Sequence, residues 1–211
     1  MTARYAEKLG VAAILTLPEL YYRPNKVEEL VDYVKQVAEA APNTPILYYH
    51  HPKKSFVQLP MPEFVTAATK RIPNFKGIKF TSSNLSEAYS TLRNLKADQD
   101  LILASPTVLA GAAILGFKSA TAGSFNLFPT QCRDIMSAVA MKHILIARSI
   151  QEKVTRAVDA IGQEGRIPKL KAVMKIVSGL DMGPPRLPMK PASKEDVHEL
   201  EKLFQELGFL N

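Results

Sequence analysis

Short apolar runs alternate along this chain with longer stretches in which apolar residues recur every third or fourth position, the spacing of one helix face. Val11–Thr16, Pro45–His50, Phe75–Phe80, Asp100–Ala104 and Ser119–Ser124 are the runs, and they predict five strands. Thr2–Leu9, ahead of the first, predicts the tail of a helix closed by Gly10. Asn25 and Glu28 have the spacing of a capping box, after which Val27, Leu30, Val31, Val34, Val37 and Ala38 share one helical face. Pro62 opens a helix reaching about Arg71, Asn84 with Glu87 opens one reaching about Leu95, and Ser105-Pro106 opens one over Thr107–Leu115.

The alternation stops after Asn126 and Pro129. Met136–Ile161, Pro168–Val177 and Lys194–Leu207 predict helices, the last with Ser193 as its cap and Asp196 three residues on. Gly183–Pro188 between the last two is a stiff connector. Strands that each lead into a helix predict a parallel sheet, open or closed as a barrel. The glycine-rich phosphate loops of the open form are missing, so the α/β class expected is the (β/α)8 or TIM barrel. Residues 1–135 would form the β/α part and residues 136–211 a helical extension packed on it in the same domain.

Composition narrows the function. With 46% hydrophobic and 22% charged residues the chain is expected to fold as one large domain, and no run is long and apolar enough for a membrane span. Its opening residues lack the apolar core of a secretory signal, so the cytosol is the expected compartment and no membrane partner is expected. A single cysteine, Cys132, leaves no internal disulfide or cysteine-based zinc site. The net charge of +7 is spread over pairs such as Lys53-Lys54 and Lys70-Arg71, and no nucleic-acid-reading module accompanies it. Nucleic acid is therefore not an expected partner, whereas an anionic small molecule would use the same charge locally.

Two strand ends carry candidate chemistry. In Phe75–Phe80, Gly77 and Lys79 share one face and Ile78 and Phe80 the other. A lysine dehydrated there would have a lowered pKa and a nucleophilic amine; the plainer reading is a lysine reaching from a strand end to solvent. Tyr49 ends the preceding strand, and a strand-helix-strand unit sets the two ends side by side, where a phenol and an amine make a proton-relay pair. Tyr48 reads as packing under a helix. His50 and His51 face opposite ways with no carboxylate or cysteine companion, so no metal site is expected.

Tyr49-His50-His51-Pro52, Gly77-Ile78-Lys79-Phe80-Thr81, Ala122-Gly123-Ser124-Phe125-Asn126 and Met182-Gly183-Pro184-Pro185-Arg186-Leu187-Pro188 together resemble the N-acetylneuraminate lyase and dihydrodipicolinate synthase family. The resemblance runs over nearly the whole chain and implies strands 4 to 8 of the barrel plus its C-terminal helices, hence a partial barrel. It implies class I aldolase chemistry: cleavage of N-acetylneuraminate, or another 2-keto-3-deoxy acid, with release of pyruvate, here N-acetylmannosamine being the other product. Lys79 would form the Schiff base and Tyr49 would move the proton, with Thr81, Ala104, Gly123 and Ser124 lining the substrate. No cofactor is implied, since the imine is the electron sink. A homotetramer is the expected assembly.

The chain departs from the family pattern in four places. The opening strands, with the loop that grips the substrate carboxylate, have no counterpart before Met1, so a longer parent sequence is expected, and a catalytically inactive short member is the alternative. Ala104, Ser105, Pro106 and Thr107 stand where the sialic-acid lyases carry a glycine and an acidic pair. Phe56 replaces a glycine after the tyrosine motif, and the motif around Ser124 is one polar residue short. Tyr21 or Tyr22 would be the extra tyrosine of some relatives or a packing residue.

Overall fold

The computed structural model describes residues 2–162 and 166–210, and they divide into two compact units. The first comprises Met1–Ser105 with Leu115–Ala120, the second Pro106–Ile114 with Thr121–Asn211. No helix among the described residues is long and apolar enough to cross a membrane.

The first unit is a five-stranded sheet in the order β1-β2-β3-β4-β5, every neighbouring pair parallel. Its strands are β1 (Ile14–Thr16), β2 (Ile46–His50), β3 (Phe75–Phe80), β4 (Asp100–Leu103) and β5 (Ser119–Ala120). Helices α1 (Thr2–Lys8), α2 (Val27–Glu39), α3 (Pro52–Ser55), α4 (Met61–Arg71) and α5 (Leu85–Arg93) accompany them. One sheet face is the core: Ile46, Tyr48, Ile78, Phe80, Leu101 and Leu103 are each 0% exposed, as are Leu30 and Val34 of α2 and Phe64 of α4. Ordered burial of this kind stabilises each large side chain by about 1.5–3 kcal/mol. The other face is wetter, with Leu15 45% exposed and Leu47, Tyr49, Lys79 and Ile102 half-buried.

β3 does not keep strict alternation. Ile46 pairs with Phe75 but Leu47 pairs with Gly77, so Lys76 is an extra residue. This bulge turns Phe75 onto the helix-covered face, where its ring meets Phe64 edge-on at 5.9 Å. It leaves Gly77 and Lys79 together on the opposite face, as the spacing predicts. Gly77 has φ of 136°, and a β-carbon there would overlap the Asp100 carbonyl oxygen of β4. Only glycine lets β3 and β4 come this close.

Local signals place most of the helices. Asn84 accepts the Glu87 N–H at 3.1 Å, capping α5 as its pattern predicts. At α2 the cap lies one residue later than Asn25 and Glu28 imply: Lys26 is the N-cap, and the Glu29 carboxylate accepts the N–H groups of Asn25 and Lys26. The segment after Ser105 opens as a 3-10 turn, Pro106–Val108, before α6 (Leu109–Ile114).

The second unit is helical: α6, a 3-10 turn at Gly123–Asn126, then α7 (Pro129–Ala140), α8 (Ile144–Ile161), α9 (Arg166–Ser178) and α10 (Lys194–Glu206). The single helix expected over Met136–Ile161 is two, because Lys142 takes a left-handed conformation with φ of 62° that breaks the helical hydrogen-bond run. The Gln151 side chain joins α8 to α6 by donating to the Pro106 carbonyl at 2.9 Å and accepting the Ala110 N–H at 2.8 Å. Phe128, Phe204 and Phe209 form an aromatic cluster with centroids 5.3–6.5 Å apart. Ser193 caps α10 by accepting the Asp196 N–H at 3.0 Å.

Candidate active site

Tyr49 and Lys79 are direct partners in the β2–β3 register, and Ile102 is the partner of Lys79 on β4. In a parallel ladder paired positions present side chains to the same face, so the lysine is flanked by a phenol on one side and a branched aliphatic on the other. The ladder continues past the strand ends. Thr81 N–H donates to the His50 carbonyl and Ala104 N–H to the Phe80 carbonyl, each at 2.8 Å, which holds the three tips together.

Lys79 Nζ stands 4.0 Å from the centroid of the Tyr49 ring. This cation–π contact is worth about 0.5–2 kcal/mol and fixes the amine on the phenol side. Among the described residues no carboxylate forms an ion pair with Lys79. An amine held in place, half-buried and not tied to an anion is able to add to a carbonyl carbon.

Two further residues reach the same face by alternation. Thr81 lies two residues beyond Lys79, and its Oγ1 is buried without a hydrogen-bond partner. His51 lies two beyond Tyr49, and the two rings stack at 5.8 Å; the sequence reading did not include it in the site, although the same i, i+2 rule points to it. Ile102 was missed too, since only the strand register reveals it. Ala104 follows β4 and contributes no hydrogen-bonding side chain.

Gly123 and Ser124 belong to the second unit. Gly123 opens the 3-10 turn, where a β-carbon would lie 3.6 Å from Leu170 Cδ1. Ser124 is fully buried with an unpartnered Oγ. Tyr21 and Tyr22 meet edge-on at 4.9 Å and are each 82% exposed, so neither packs into a core. Phe56 takes a left-handed conformation, φ 58°, that glycine adopts freely, and Arg23 lies 5.1 Å above its ring.

Tyr48 and His50 of β2 face the helix-covered side of the sheet, and Cys132 lies on α7 of the second unit. Tyr48 packs on Phe64 at 4.7 Å, and burial drives its hydroxyl pKa upward. Burial, with the neighbouring His51 charge, brings His50 down to about 4, so its ring is neutral near pH 7. Cys132 is buried and its thiol is pushed up to about 12.

Parallel strands in barrel order, each tip feeding a loop, with a lysine and a tyrosine side by side, define a partial (β/α)8 barrel with an amine-bearing tip. The chain belongs to the dihydrodipicolinate synthetase family, whose model matches residues 1–207. N-acetylneuraminate lyase of Mus musculus is 28% identical over 211 residues, which are 99% of this chain and 66% of the mouse protein. The solved N-acetylneuraminate lyase of Aliivibrio salmonicida superposes with a TM-score of 0.90 at 29% identity, over 99% of this chain and 69% of the other. Sulfolobus solfataricus 2-keto-3-deoxygluconate aldolase, 21% identical with a TM-score of 0.84 over 98% of this chain and 68% of the other, shares the fold. The chain thus spans about two thirds of the length of these relatives, and lyases are prominent among them.

Proposed function

We propose that this chain carries the imine-forming half of a class I aldolase that cleaves N-acetylneuraminate to N-acetylmannosamine and pyruvate. The observation that carries the reading is the Tyr49–Lys79 pair, in register and with the amine 4.0 Å from the ring centroid. Lys79 adds to the C2 ketone and water leaves, forming a protonated imine. Tyr49 accepts the C4 hydroxyl proton as the C3–C4 bond breaks, and the bonding electrons pass into the imine to give an enamine. N-acetylmannosamine departs as the aldehyde. Protonation at C3 and hydrolysis then release pyruvate and restore the amine. Thr81, two residues beyond Lys79, would hold the pyruvyl end, and Ala104 would bound it. The proposed working assembly is a homotetramer, as the family resemblance implies, in the cytosol.

A second substrate has its own support. Ile102 beside Lys79, followed by Ala104 and Ser105, supplies no carboxylate to the sugar hydroxyls. A 2-keto-3-deoxy acid with a shorter hydroxylated tail asks fewer hydrogen bonds of these residues than a nine-carbon sugar acid. The test is pyruvate release, measured on N-acetylneuraminate and on 2-keto-3-deoxygluconate with the whole chain. Faster release from the first supports the main proposal; release only from the second moves the assignment to it. A folded protein that releases pyruvate from neither leaves the inactive-member reading.

A further inference from the structure

A tyrosine that moves a proton must hold its hydroxyl on the substrate while the bond breaks, and a misplacement of about 1 Å can cost about 10²-fold in rate. Among the described residues one cation and one aromatic ring lie against the Tyr49 ring. The Lys79 amine stands 4.0 Å from its centroid, and the His51 imidazole stacks at 5.8 Å with 28° between the planes. The amine is consumed by the chemistry: once Nζ is bonded to C2 it moves with the substrate, and it no longer restrains the phenol independently of what it carries. The imidazole stays in place. We propose that His51 is the positioning residue that keeps the Tyr49 hydroxyl aligned while the imine stands, an inference that rests on the lyase reading above.

The backbone fixes His51 from both sides. Ahead of it the His50 carbonyl accepts the Thr81 N–H at 2.8 Å, which ties the end of β2 to β3. Behind it the His51 carbonyl accepts the Lys54 and Ser55 N–H groups at 3.0 and 2.9 Å and the Ser55 hydroxyl at 3.0 Å, so His51 is the N-cap of α3. Pro52 narrows its backbone freedom further. The stack is therefore built from one strand end, between residues i and i+2 on one face, and needs nothing from the substrate. Offset rings at this separation attract through packing and quadrupole alignment, and a phenyl ring does so without a titratable nitrogen. What the role asks of position 51 is a flat ring, which separates it from proton transfer by the imidazole. The cap is made by the carbonyl and not by the side chain, so α3 keeps its start when the side chain is changed.

The experiment compares the full chain with His51→Ala and His51→Phe, each checked for folding by its melting temperature. Borohydride trapping of pyruvate on Lys79 reads imine formation. Steady-state pyruvate release, from whichever of N-acetylneuraminate and 2-keto-3-deoxygluconate the unaltered chain cleaves, reads the bond-breaking step. His51→Ala should trap pyruvate as the unaltered chain does while kcat falls about three- to tenfold and KM stays within about twofold. His51→Phe should restore kcat to within about twofold. Equal kcat in all three chains, a His51→Phe that fails to restore what His51→Ala loses, or trapping lost in step with turnover overturns the positioning role and leaves the lyase reading standing. An unaltered chain that traps no pyruvate, or traps it and cleaves neither substrate, removes the lyase reading and this inference with it.

Discussion

The Lys79 ammonium sits 4.0 Å from the centroid of the Tyr49 ring, and the two residues are partners in one parallel ladder. Backbone pairing thus brings together a nucleophile and a proton carrier that lie thirty residues apart. Tyr49→Phe keeps the ring under the amine and deletes only the hydroxyl. Steady-state kinetics should show kcat falling by about 10²-fold or more, while borohydride trapping of pyruvate on Lys79 persists. Equal loss of trapping and turnover would mean that the hydroxyl serves imine formation rather than the bond-breaking step, and unchanged turnover would remove it from the mechanism.

Gly77 is expected to be the least replaceable glycine of the first unit. Gly77→Ala forces a β-carbon onto the Asp100 carbonyl in a backbone region that side chains avoid, and should destabilise the chain by about 2 kcal/mol or more in urea unfolding. Gly10→Ala is the control, since nothing lies within 4 Å of its β-carbon position; it should cost about 1 kcal/mol from its positive φ alone.

His50 predicts a pH dependence. Its folded pKa is about 4 against an ordinary 6.5, so between those values the unfolded chain binds the extra proton. Stability contributed by keeping the ring neutral is complete above pH 6.5 and is lost as pH falls towards 4, a change on the order of 3 kcal/mol. Urea unfolding at pH 7 and pH 5 should show the wild type losing stability over this interval and His50→Phe losing markedly less. The lowered carboxyl groups of Asp98, Asp181 and Asp196, each held down chiefly by a lysine hydrogen bond, act in the same direction but only below the ordinary carboxylate pKa.

Cys132 should be silent to alkylation. It is buried, and its thiol pKa of about 12 leaves almost no thiolate at neutral pH. Iodoacetamide in native buffer should leave the mass unchanged, and addition of urea should bring full labelling; native labelling would show that α7 opens.

The parallel strands and the shared face of Gly77 and Lys79 were legible from period-two alternation and the strand-helix rhythm, since both follow from backbone geometry. The bulge at Lys76 was not, because it depends on how β3 meets β2 and on Phe64 receiving Phe75. The break at Lys142 carries no glycine or proline to announce it. The α2 cap shifted by one residue because Glu29, not Glu28, reaches the free N–H groups. Ile102 as the neighbour of Lys79 is a statement about register, which the spacing of residues along one strand does not contain.

Imine formation at Lys79 is the claim on which the functional account depends. The direct measurement is incubation of the whole, folded chain with pyruvate and borohydride, followed by peptide mass mapping. The account predicts one reduced pyruvate adduct, confined to the peptide bearing Lys79 and absent from Lys79→Arg. An unmodified Lys79, or an adduct spread over surface lysines such as Lys53 and Lys54, would contradict it.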